Sequence, residues 1–179
     1  WTASADVFGP KGFFDTFLFG RAEPHLLIDH FGAPFRMVDP GVGFKKHPSN
    51  YFTHRPIDAA LALRNEHGIK PDQIANVEVV FPRFEYVNRP QPETGLDGKF
   101  SVQYTTAVAL LDGEITVDSF DNERRFAPDV VALLPKVKLT FDDNIPNDFD
   151  RLHIDLTVTL TDGRKLQRRE ARQIGRAHV

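Results

Sequence analysis

Lys45-Lys46-His47-Pro48-Ser49-Asn50-Tyr51-Phe52-Thr53-His54-Arg55-Pro56 carries five potentially cationic side chains and no carboxylate. The nearest acids are Asp39 and Asp58. The stretch runs into a helix predicted over Pro56–His67, with Pro56 in its first turn and Gly68 at its end. Ile57, Ala60 and Leu61 repeat at i, i+3, i+4 and give this helix its apolar face. Cations ahead of a helix N-terminus make an anion site plausible, because the unpaired backbone N–H groups and the helix dipole favour negative charge there. A solvated basic loop is the alternative.

A second stretch, Lys99-Phe100-Ser101-Val102-Gln103-Tyr104, opens another helix, predicted over Phe100–Leu111. Phe100, Tyr104, Ala107, Val108 and Leu111 fall on one stripe, and Asp112-Gly113 ends it. Taken in order, the basic loop with its "T-H-x-x-I-D-A" helix start and "K-F-S-x-Q-Y…A-x-A-L-L-D-G" resemble the MmgE/PrpD family. That family includes 2-methylcitrate dehydratase and cis-aconitate decarboxylase. The likeness continues through Tyr86-Val87-Asn88-Arg89-Pro90, Ile115-Thr116-Val117-Asp118-Ser119-Phe120 and Thr157-Val158-Thr159-Leu160-Thr161-Asp162-Gly163, from about Gly9 to Arg169.

The remaining elements follow from period and punctuation. A short helix is expected from Pro10 to about Leu18, closed near Gly20, and another at Pro24–His30. Phe35–Val38, Ile74–Phe81, Val137–Phe141, His153–Leu160 and Lys165–Arg168 read as strands, and Pro128–Leu134 as a helix. Thr161-Asp162-Gly163-Arg164 carries a hairpin signal for the last two strands, and Asn88–Gly98 reads as an ordered loop. Strands and helices mix without a repeated βαβ unit, so the fold class expected is α+β. The resemblance implies a small mixed-sheet lid domain preceded by the tail of an all-helical domain. Residues 1–30 are then the end of the helical domain and 31–172 the lid, with the larger N-terminal helical domain missing. Phe13, Phe14, Phe17 and Leu18 read as ordinary core, or as packing on that absent domain.

The C-terminal residues Ile174-Gly175-Arg176-Ala177-His178-Val179 back-translate to ATC GGA AGA GCA CAC GTC, a common sequencing-library adapter. Residues 173–179 are therefore expected to be a read-through tail that takes no part in the fold. Without Arg176, Lys+Arg falls from 22 to 21 against 25 acids, and the formal charge moves from −3 to −4. A mildly acidic chain offers no global reason to bind nucleic acid. No apolar run approaches the ~18–20 residues of a membrane span, and a cytoplasmic location is expected. Cys is absent, which excludes disulfides and thiolate iron–sulfur ligation within these 179 residues.

The resemblance implies a lyase that grips a small di- or tricarboxylate and moves a proton on an adjacent carbon. Dehydration of 2-methylcitrate, in propionate metabolism, comes first and decarboxylation of cis-aconitate next. Gripping carboxylates favours Lys, Arg, His and helix N-termini, and moving the proton needs a tuned acid or base. Neither task requires a metal or cofactor, and the histidines show no metal-ligand spacing. Lys45, His54 and Tyr104 match family positions and are the catalytic candidates. His47, Asn50, Lys99 and Ser101 are candidates for substrate binding. Four of these have a structural alternative: a solvated lysine for Lys45, a braced helix start for His54, a tied hydroxyl for Tyr104 and a helix cap for Ser101. Thr53 is expected to cap the helix that follows it.

Asn50 stands near a position where the decarboxylase branch carries histidine. Asn is no acid or base at neutral pH, which favours dehydratase or isomerase chemistry, although His47 is a nearby titratable group. By the same resemblance the parent is a homodimer, and this segment alone is expected to be inactive. An epimerase or isomerase of an acidic substrate, or a non-catalytic carboxylate-binding or dimerisation module, are the alternatives.

Overall fold

The computed structural model describes residues 7–19, 21, 23–29, 31–33, 35, 37–41, 43–148 and 151–171. The expected tail at 173–179 lies outside the described residues, as do Gly20 and His30, the expected ends of two early helices. The chain divides into two compact units that part beside residue 42.

In the first unit, helix α1 spans Phe13–Leu18, and Phe19 closes it in the left-handed region. Phe14 is the buried face of α1, stacked on Phe8 at 5.1 Å, while Phe13 and Phe17 are exposed. A 3-10 turn follows at Pro24–Leu27. The strand expected at Phe35–Val38 does not form. Met37–Gly41 makes a π-helical turn instead, with the Val38 N–H donating to the Phe35 carbonyl. The Asp39-Pro40-Gly41 sequence explains the difference, since proline withholds a ladder donor and Gly41 takes a positive φ of 81°.

The second unit is a four-stranded sheet with helices on one face, the α+β architecture expected. β1 (Ile74–Phe81), β2 (Val137–Phe141), β3 (Ile154–Leu160) and β4 (Lys165–Glu170) lie in the order β2-β1-β3-β4. β1 pairs parallel with β2 and antiparallel with β3, which pairs antiparallel with β4. Val77, Val79 and Phe81 of β1 and Ile154, Leu156, Val158 and Leu160 of β3 are buried. Their alternation with Glu78, Asp155 and Thr157 matches one covered face and one polar face. A register shift between Ile74 and Asn76 accommodates Ala75 and keeps both Ile74 and Val77 in the core. The β3–β4 turn closes as the sequence suggests: Gly163 takes a φ of 87°, and the Leu160 N–H donates to the Arg164 carbonyl at 2.8 Å.

Two helices cover the sheet. α2 runs from His54 to His67, and Gly68 ends it with a φ of 60°. Pro56 sits third in the helix instead of first, which is tolerated because the first-turn N–H groups have no intrahelical acceptor. A one-turn helix α3 (Gly95–Gly98) interrupts the expected loop and leads into α4 (Val102–Asp112), with Gly113 at its end. Phe100, expected on the stripe of this helix, lies ahead of it and is exposed, whereas Val102 through Leu111 are all buried, so the buried face takes in the whole circumference. Such a helix is a core element between layers. Its two threonines are accommodated by bonds to the preceding turn: Thr105 Oγ1 donates to Ser101 O at 2.8 Å, and Thr106 Oγ1 to Val102 O at 2.7 Å. Short helices α5 (Asn122–Arg125) and α6 (Pro128–Leu133) complete the crossover from β1 to β2.

Candidate functional site

The two motif helices begin at the same end of the sheet. The Asn50 N–H, ahead of α2, donates to the Lys99 carbonyl, ahead of α4, at 2.9 Å. Near the other end, Arg64 Nη1 of α2 donates to the Leu110 carbonyl of α4 at 2.7 Å. α2 and α4 therefore run side by side in the same direction. Their positive dipole ends converge, each preceded by a loop that carries lysine.

The loop entering α2 is built by its own short polar side chains. Asn50 Oδ1 accepts the Phe52 N–H at 3.0 Å and caps a 3-10 turn at Tyr51–Thr53. Thr53 Oγ1 donates backward to the Asn50 carbonyl at 2.7 Å and lies 2.7 Å from Ser49 Oγ. Thr53 is thus not the side-chain cap of α2 that the sequence suggests. Its one proton points into the preceding turn, so Ser49 supplies the proton of the second bond.

A histidine pair lies behind this loop. His47 is 5% exposed and His54 fully buried, their rings edge to face at 5.2 Å, with Tyr51 5.4 Å from His54. Neither ring nitrogen of His54 has a hydrogen-bond partner. Burial pushes its pKa down to about 4, helped by His47 and Lys45 and opposed by Asp58 and the His47 backbone. His54 is therefore a neutral imidazole at pH 7. Asp58, one turn further along α2, accepts from Lys46 Nζ at 2.6 Å and contacts His47 Nε2 at 3.0 Å. Burial opposes its ionisation, but the bonds from His47 and Lys46 outweigh it and hold the carboxyl below its ordinary range.

Lys45, His47, Asn50 and His54 are thus gathered, with Lys99 joined to them through its carbonyl. Lys45 is exposed and donates to the Ser49 carbonyl at 3.1 Å. Lys99 lies with its ammonium 5.4 Å above the Phe120 ring. Ser101 is fully buried and caps α4: its Oγ accepts the Tyr104 N–H at 2.9 Å and donates to the Arg89 carbonyl at 2.6 Å. Tyr104 is buried too, and its hydroxyl donates to the Ser119 carbonyl at 2.6 Å. Burial pushes that phenol up to about 12, against the pull of Arg124 and Arg125. It is protonated at neutral pH with its proton directed at Ser119, so contact with a substrate requires the hydroxyl to turn.

Two participants escape the sequence reading. Asp58 is one; its i, i+4 spacing from His54 was the available signal, since that spacing places two side chains on one helix face. Gln103 is the other. It is 2% exposed, its Nε2 donates to Asn88 Oδ1 at 2.6 Å, and its Oε1 has no partner. Both Asn88 and Gln103 stand inside stretches that carry the family resemblance. Among the described residues no group of three or more His, Cys, Asp or Glu side chains is placed to hold a metal ion. No helix among them is long and apolar enough to cross a membrane.

Residues 47–177 match the family model of the MmgE/PrpD C-terminal domain. Cis-aconitate decarboxylase of Mus musculus is 39% identical over 129 residues, and cis-aconitate decarboxylase of Homo sapiens is 39% identical over 128. Each match covers 68% of this chain, which spans about a quarter (26%) of the relative's length.

Proposed function

This chain belongs to the MmgE/PrpD family, and from that premise we propose that it is part of a lyase acting on a small di- or tricarboxylate. The observation that supports this most directly is the convergence of two helix N-termini and a lysine-bearing loop beside a buried histidine pair. Aligned N–H dipoles and ammonium groups grip carboxylates. A neutral imidazole has a lone pair that can take up a proton.

In this reading Lys45 meets a substrate carboxylate, joined by Lys99 and the N-terminal end of α4. His54 and His47 handle the proton, and Tyr104 donates once its hydroxyl leaves Ser119. Asn50 and Ser101 shape the loops, since their side chains cap helical turns. The rest of the site comes from the parent chain beyond this segment, which acts as a homodimer, and the segment alone has no turnover.

Two substrates compete within the reading. The names of the similar proteins favour cis-aconitate: its C–C bond breaks to release carbon dioxide, and the electron pair left on carbon takes up a proton. Asn50 favours 2-methylcitrate, where a proton and a hydroxyl leave as water. The relatives put cis-aconitate first, because His47 offers a titratable group that Asn50 does not. The test is to express the parent reading frame, supply each acid separately and identify products by NMR. Itaconate from cis-aconitate supports decarboxylation, and a dehydrated product from 2-methylcitrate supports the hydro-lyase. Product from neither overturns the lyase reading for these acids.

A further inference from the structure

Asp58 neither binds substrate nor moves the proton in the proposed lyase, yet its side chain is only 10% exposed and one oxygen, Oδ1, meets two nitrogens. An ionised carboxylate accepts hydrogen bonds and donates none. With Oδ1 3.0 Å from His47 Nε2, the proton of that contact belongs to Nε2. Neutral His47 then carries its lone pair on Nδ1. Asp58 is the one carboxylate in contact with the histidine pair among the described residues, and the other charged groups facing it are Lys45 and Lys46. No carboxylate meets the ring nitrogens of His54 in the same way, so its tautomer is not fixed by such a contact.

We propose that Asp58 is the positioning residue of this site, holding His47 as the Nε2–H tautomer so that Nδ1 is the nitrogen presented to the substrate. The proposal rests on the carboxylate-lyase reading for its substrate and on the Asp58–His47 contact for its geometry. A carboxylate behind an imidazole fixes both tautomer and ring orientation, so the reacting nitrogen does not have to be selected at each turnover.

Two measurements test this. Long-range proton–nitrogen correlation spectra of the 179-residue chain at neutral pH should show the His47 proton on Nε2. Asp58→Asn should give a tautomer mixture, because the facing carboxylate is gone. In the full-length parent the same substitution should lower kcat by about tenfold or more with KM within about threefold. A wild-type His47 protonated on Nδ1, or a tautomer unchanged in Asp58→Asn, overturns the proposal. So does a parent Asp58→Asn enzyme whose tautomer shifts while kcat stays put. Should Asp58→Asn fail to fold, Lys46→Gln at an exposed position decides. It should keep the Nε2–H tautomer, and a switch to Nδ1–H sinks the idea. A wild-type parent that converts neither acid removes the substrate half of the proposal, whereas the tautomer stands or falls on the spectrum of the chain itself.

Discussion

The backbone N–H of Asn50 donates to the carbonyl of Lys99 at 2.9 Å, tying together two loops 49 positions apart in the chain. That bond brings the starts of α2 and α4 side by side, and whatever binds at one helix end feels the dipole of the other. The convergence is a property of the loops as much as of the helices, so substitutions in the loops separate folding from chemistry.

Ser101→Ala removes both the cap of α4 and the donor to the Arg89 carbonyl. Loss of a helix cap costs about 1 kcal/mol, and the orphaned buried carbonyl adds about 1 kcal/mol more. Urea denaturation of the chain should show a lower midpoint at unchanged slope. An unchanged midpoint contradicts the capping role.

Gly98→Ala tests the packing of Tyr104. A Cβ at Gly98 would lie 2.6 Å from Tyr104 Cδ1, so the buried ring has to move. Overpacking of this kind costs about 1–3 kcal/mol. Thermal unfolding should show a lower Tm and near-ultraviolet circular dichroism a changed tyrosine signal. Neither would change if the ring were free to swing aside.

Acid should destabilise the chain through His54. The unfolded side chain titrates near its ordinary 6.5 and the buried one at about 4. Between those values the unfolded state binds more protons, so stability is greatest above about 6.5 and falls as pH drops toward 4, by up to ~3 kcal/mol. Asp58 acts with the same sign, but its loss begins only as pH falls into the ordinary carboxylate range and continues below it. His54→Gln should flatten the slope of urea midpoint against pH from about 7 to about 4. A slope unchanged by the substitution assigns the acid sensitivity elsewhere.

Tyr104→Phe distinguishes a tie from a proton donor. Losing the hydrogen bond to the Ser119 carbonyl costs about 1–2 kcal/mol of stability in either case. Turnover in the parent separates them: a donor role lowers kcat by about a hundredfold, and a purely structural hydroxyl leaves kcat near wild type once the protein is folded.

Lys45→Ala, at an exposed position, should leave stability within about 0.5 kcal/mol. In the parent it should raise KM for a tricarboxylate by about tenfold or more, the loss of one charge-assisted hydrogen bond. An unchanged KM makes Lys45 a solvated side chain.

Elements whose signals are local were legible from the chain alone. β1 over Ile74–Phe81 and β2 over Val137–Phe141 follow their alternation of apolar and polar residues, and β3 and β4 differ from the reading by one or two terminal residues. Gly68, Gly113 and Gly163 end α2, end α4 and close the last hairpin, because each needs a positive φ that glycine alone adopts cheaply. The family itself was legible as ordered short stretches at characteristic spacing.

What only the tertiary structure decided are relations between distant residues. The order β2-β1-β3-β4, with β1 and β2 parallel, depends on where the intervening helices pack. Thr53 turned away from its expected cap because Asn50 and Ser49 offered nearer partners. The burial of α4 on every side, the donation from Tyr104 to Ser119 and the contact of Asp58 with His47 likewise arise when layers close over one another. Sequence carries short-range preferences of backbone and period, whereas the protonation and reach of a site depend on burial and on neighbours supplied by the fold.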